Sequence, residues 1–73
     1  MNNAQARKMD RFANSALVAR AGALAAEHGL EPVAHDLSIV FRSDLWLARK
    51  MAEFALDMHW ERLDRECMEG LAL

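Results

Sequence analysis

The sequence predicts an all-α domain: two long antiparallel helices joined by one short helix, a small helical bundle that pairs with a second copy of itself. Three observations predict it. Apolar residues recur at helical spacing along most of the chain. The breakers are few, Gly22, Gly29, Pro32 and Gly70, so they mark a small number of boundaries. The charge is divided, with a basic beginning and an acidic end, and this bears on how the helices run past one another.

The first helix is expected from about Ala4 to His28, with residues 1–3 frayed, stopping at Gly29, which takes left-handed backbone readily. Its apolar face reads Met9, Phe12, Ala13, Ala16, Leu17, Ala23 and Leu24. The second half is alanine-rich nearly all round, as expected of a segment packed on more than one side. Gly22 inside it costs about 1 kcal/mol relative to alanine and marks a close contact.

A second helix follows over residues 32–42. Pro32 suits a first helical position and Glu31 the positive end of the dipole. Val33, Leu37, Val40 and Phe41 give it an apolar face. The run LSIVF would also suit a buried strand, but the chain offers no second strand to pair with it.

The third helix is expected over residues 44–69, with Ser43 or Asp44 as cap and Gly70 as stop. At about 100° per residue, Leu45, Leu47, Ala48, Met51, Ala52, Phe54, Ala55, Leu56, Met58 and Leu63 fall on one wide arc. Trp46 and Trp60 break the pattern. They stand two heptads, about 21 Å, apart on the charged arc, in the row Trp46, Lys50, Glu53, Asp57, Trp60, Asp64. The leucines of the tail are expected to dock back on the bundle.

The first and third helices would each be about 37–39 Å long, which suits an antiparallel pair closed at one end by the short helix. Residues 1–20 carry Arg7, Lys8, Arg11 and Arg20 against Asp10. Residues 53–69 carry Glu53, Asp57, Glu61, Asp64, Glu66 and Glu69 against Arg62 and Arg65. Each group opposes its local helix dipole. An antiparallel arrangement would set Arg7, Lys8 and Arg11 near Glu61, Asp64 and Glu66, within one chain or between two.

At 73 residues the chain forms one domain, residues 1–73, and a domain this short buries only about 60% of its unfolded surface. A homodimer supplies the missing burial. Cys67 is the only cysteine, which excludes a disulfide framework and fits a reducing, cytoplasmic setting. No stretch approaches the roughly 20 apolar residues of a membrane span. Arg20 interrupts the one N-terminal run that has a faint signal-sequence character.

The sequence argues against catalysis. His28, His35 and His59 lack the spacing of a helical metal site, and there is no Gly-rich phosphate loop, nucleophile elbow or CxxC pair. No cofactor or metal is expected. His59 falls on the apolar arc and reads as a histidine hydrogen-bonded across helices; His28 suits a helix C-terminus. The ridge Glu53, Asp57, Glu61, Asp64 has interspersed Arg and Lys and reads as a solvated face.

Residues 23–42 resemble in part the helix-turn-helix family. Ala25 stands where a small residue lets two helices pack, Gly29 at the turn and Leu30 after it. That resemblance implies a DNA-binding regulator. His28 and His35 depart from the pattern, and the would-be recognition helix carries Glu31 and Asp36 with only Arg42, whereas phosphate contacts need Lys and Arg. The better expectation is a non-enzymatic protein-interaction module, an adaptor, chaperone-like partner or inhibitor that regulates a larger protein through Trp46, Lys50, Glu53, Asp57, Trp60, Glu61 and Asp64. An acidic-faced inhibitor of a nucleic-acid-binding protein, DNA-mimic or phage-type, is a further alternative.

Overall fold

The computed structural model describes residues 1–71, and the side chains of residues 1–68. Among these residues the only regular secondary structure is helix: α1 Asn3–Ala13, α2 Leu17–His28, α3 Leu30–Val40 and α4 Leu45–Leu71. The tail leucines lie outside the described side chains.

The expected first helix is two helices. Asn14 closes α1, and its Nδ2 donates to the Asp10 carbonyl at 2.9 Å. Ser15 Oγ donates to the Phe12 carbonyl at 2.7 Å and accepts from Leu17 N at 3.2 Å. Two short polar side chains thus offer the backbone partners that compete with the helical ladder. The start is not frayed either, since Asn2 and Gln5 form a reciprocal capping box with both bonds at 2.9 Å.

The break changes how the chain runs. Lys8 Nζ donates to the Arg42 carbonyl at 2.6 Å, Phe12 meets Phe41 and Phe54, and Ser15 and Ala16 share a cavity with Met58. These contacts climb α4, so α1 runs in the same direction as α4. After the turn α2 runs the opposite way, with Gly22 against Ala55 and His59. Arg7, Lys8 and Arg11 therefore start at the Asp44 end of α4. The expected pairing with Glu61, Asp64 and Glu66 is not made within the chain.

Gly29, at φ +92°, closes α2 and opens α3 by itself. Pro32 occupies the third helical position, not the first. It is tolerated there because the first four helical N–H groups have no intrahelical acceptor. α3 ends with Arg42 in the left-handed region at φ +52°. Ser43 N donates to the Ser38 carbonyl at 3.0 Å and Arg42 N to Ile39 at 3.4 Å, the paired bonds of a Schellman ending. Asp44 Oδ1 then caps α4 by accepting from Leu47 N at 2.8 Å. α4 passes through Gly70 without stopping.

The core is Phe12 of α1, Ala21 and Ala25 of α2, Val33, Ala34 and Leu37 of α3, and Leu47, Ala48, Met51, Ala52 and Ala55 of α4. Phe12 is completely buried, edge-on to Phe41 at 5.6 Å and to Phe54 at 6.4 Å between ring centroids. Ala13, Ala16, Leu17, Ala23 and Leu24 were expected in the core and are exposed, as is Val40. The turn at Asn14–Ala16 resets the helical phase, so α2 buries Ala21, Gly22 and Ala25.

The molecule is elongated, 45 × 24 × 18 Å. Its Cα radius of gyration is 13.3 Å, where a compact domain of this length has about 11 Å. α4 is the cause: its 27 residues span about 40 Å. Every described side chain after His59 is exposed.

Candidate protein-interaction surface

α4 changes character along its length. Up to Ala55 its inner arc is covered by α2 and α3 and, through Phe54, touched by α1. Past the start of α2, whose Val18 and Ala19 still border Arg62 and Arg65, α4 projects alone among the described residues. Met58, Trp60, Leu63 and Met68 are exposed in this half of the helix. Leu45, Trp46, Ile39 and Val40 are exposed at the opposite end, around the α3–α4 corner.

Both tryptophans of the row are open, Trp46 at 52% and Trp60 at 50%. Among the described residues, neither is packed beneath α3. Lys50 Nζ stands over the Trp46 ring at 5.8 Å, a cation–π contact that leaves the rest of the indole free. Trp60 stacks edge-on with the half-buried His59 at 5.2 Å.

Glu53 is held by Lys50 Nζ at 3.5 Å and Arg49 Nε at 3.7 Å, and Arg49 Nη1 also reaches Glu31 of α3 at 2.7 Å. These bridges are exposed, worth about 0–1 kcal/mol each. Among the described residues, Asp57, Glu61, Asp64 and Glu66 make no ion pair within the chain. The row thus divides into a charge-paired half at Lys50–Glu53 and an unpaired acidic half around Trp60.

His59 does not bond across the helices as expected. Its Nδ1 contacts Arg62 Nη2 on its own helix at 3.5 Å. Beside it, Ser15, Ala16, Val18 and Ala19 of the α2 start and Met58, Arg62 and Arg65 of α4 enclose an open hollow of about 290 Å³. A second hollow of about 210 Å³ lies between α2 and α3, lined by Leu17, Arg20, Leu24, Leu37 and Val40. Sequence reasoning placed no surface there, because Leu17, Leu24 and Val40 were assigned to the core.

The helix-turn-helix residues fare unevenly. Ala25 is buried between helices, but α2 and α3 are joined by Gly29 alone, where that motif uses a turn of about three to four residues. His28 and His35 are exposed, and so are Glu31 and Asp36 on α3. Among the described residues no three His, Cys, Asp or Glu side chains gather as metal ligands, and no helix is long and apolar enough to cross a membrane. No protein-family model, curated protein or solved structure matches the chain.

Proposed function

We propose that this chain is a small non-enzymatic protein-interaction module that regulates a larger protein, as an adaptor, chaperone-like partner or inhibitor, by docking the outer side of α4. The reading includes a homodimer and a cytoplasmic setting for the lone Cys67. One observation carries it: two half-exposed tryptophans share a helix side that carries charge and that no other helix covers among the described residues. Tryptophan is enriched at binding hot spots, and burying one on a partner yields more than burying any other side chain.

The chemistry of the surface constrains the larger partner. Trp60, Leu63 and Met68 offer apolar contact, and Asp57, Glu61, Asp64 and Glu66 surround them with unpaired acid. A partner with an apolar cleft and a basic rim fits this arrangement. The interleaved Arg62 and Arg65 make the surface a poor copy of a regular phosphate array. The test is affinity capture from the native host with the wild-type chain and with Trp60→Ala. Loss of the partner from the variant supports the reading. Retention of the partner puts the interface elsewhere.

A further inference from the structure

One row on α4 changes its chemistry where the core ends. Leu47, Met51, Ala55, Met58, Arg62 and Arg65 follow one another at spacings of four and three, so they share one side of the helix. Leu47, Met51 and Ala55 are buried in the core. Past them the same side reaches the turn between α1 and α2, where the hollow of about 290 Å³ opens. Ala16, Val18, Ala19 and Met58 make most of its lining apolar, and Arg62 and Arg65 bring charge to it.

Charge sets the sign of what the hollow can hold. The chain as a whole carries a net charge of −2. Among the described residues, no Asp or Glu lines this hollow, whereas two arginines do. Neither arginine takes part in the ion pairs found among the described residues. Arg62 makes one long contact, from Nη2 to His59 Nδ1 at 3.5 Å, which leaves most of its five N–H donors open. Like charges one turn apart on a helix repel each other, and an anion between Arg62 and Arg65 relieves that repulsion. The adjoining end of α2 adds positive potential, because Ala16 gives no side-chain cap and the first turn holds no acidic residue. Ser15 Oγ is already engaged, since its proton goes to the Phe12 carbonyl at 2.7 Å.

We propose that this hollow binds a small organic anion, a carboxylate carried on a short apolar body. The carboxylate lies between Arg62 and Arg65, whose guanidinium forks match its geometry. The apolar body lies on Val18, Ala19 and Met58, and the flexible methionine adapts to its shape. The hollow stands at the lower end of the size range of small-molecule sites, which are likewise mostly apolar with a few placed polar groups. A free phosphate ion fits less well, because it would leave the apolar lining wet and find few donors besides the arginines. Arg62 and Arg65 turn to the opposite side of α4 from Trp60, so the proposal stands apart from the interaction reading.

Isothermal titration calorimetry of the full chain with octanoate tests this, with octanol and inorganic phosphate as comparison probes. Octanoate should saturate one site per chain, with half-saturation at or below about 1 mM. Octanol lacks the charge and phosphate lacks the apolar body, so each should bind roughly tenfold more weakly or worse. Arg62→Gln and Arg65→Gln, both at exposed positions, should each weaken octanoate about tenfold. Ala19→Glu, which sets a fixed carboxylate in the same hollow, should abolish binding. Far-ultraviolet dichroism should be unchanged in all three, and the two glutamine variants decide should Ala19→Glu disturb folding. No saturable octanoate binding up to about 10 mM overturns the proposal. So does affinity that both glutamine variants keep in full, or octanol binding as tightly as octanoate, which would make the hollow an apolar patch. Phosphate binding more tightly than octanoate overturns it as well, since the apolar lining would then take no part.

Discussion

Gly22 of α2 lies flush against His59 of α4. A Cβ placed at Gly22 would stand 2.9 Å from the His59 Cβ and 3.1 Å from the Ala55 carbonyl carbon. The obstacle is helix backbone and the root of a side chain, neither of which can swing aside. Gly22→Ala should therefore destabilise the protein by about 1–3 kcal/mol, although alanine in a helix gains about 1 kcal/mol over glycine. Urea unfolding measures the difference, and a stabilised variant would show that α2 and α4 do not approach this closely.

Gly29 is required for the opposite reason. No atom would lie within 4 Å of a Cβ there, but φ is +92° with ψ 172°, a region that only glycine enters easily. Gly29→Ala should cost about 1–3 kcal/mol through backbone strain alone. Gly29→Asn should recover little of it, since asparagine tolerates the left-handed helical region and not this extended one.

Periodicity made the existence of the helices legible, and the span of α4 with its Asp44 cap. The break at Asn14–Ser15 was not, because alanines flank it on both sides and an apolar face can be drawn straight through. Its signal was the Asn-Ser pair itself, two side chains that bond their own backbone. Orientation was misread from charge. Exposed pairs are worth about 0–1 kcal/mol each, while burying Phe12 is worth several, so the phenylalanine decides where α1 lies. The Trp46–Trp60 row stood out because tryptophan is out of place on a charged stripe. The exposure of Ala19, Ala23 and Ala26 did not, since an alanine-rich helix looks the same from every side until Gly22 shows which side faces α4.

Phe12 is the one buried residue of α1. Between Phe41 and Phe54 it ties α1 to the end of α3 and the middle of α4. Phe12→Ala should cost about 3–5 kcal/mol, much of what a domain of this size has. Helix content by circular dichroism and the urea midpoint should fall together, because α1 has no other anchor of this size. Phe12→Leu, which keeps part of the volume, should lose less.

Arg42 adopts a positive φ to close α3, and its carbonyl receives Lys8 Nζ at 2.6 Å. The side chain itself is exposed. Glycine would relieve the left-handed strain and keep the carbonyl in place, so Arg42→Gly should stabilise by about 1 kcal/mol. Thermal unfolding reads this as a higher midpoint. A carbodiimide cross-link from Lys8 should in turn be found at Asp44 and not at Asp64.

Trp46 and Trp60 make few contacts inside one chain, so truncating either should leave the stability of an isolated protomer within about 0.5 kcal/mol of wild type. They should differ in association. Trp60 lies among the unpaired acidic residues of the projecting half of α4, whereas Trp46 sits at the α3–α4 corner beneath Lys50. In Trp46→Phe, which reports Trp60 alone, acrylamide quenching of fluorescence should weaken as protein concentration rises through the dimerisation range. In Trp60→Phe, which reports Trp46, quenching should stay strong throughout. Concentration-independent quenching of both would place neither indole in a self-association interface and leave the row open to a different protein.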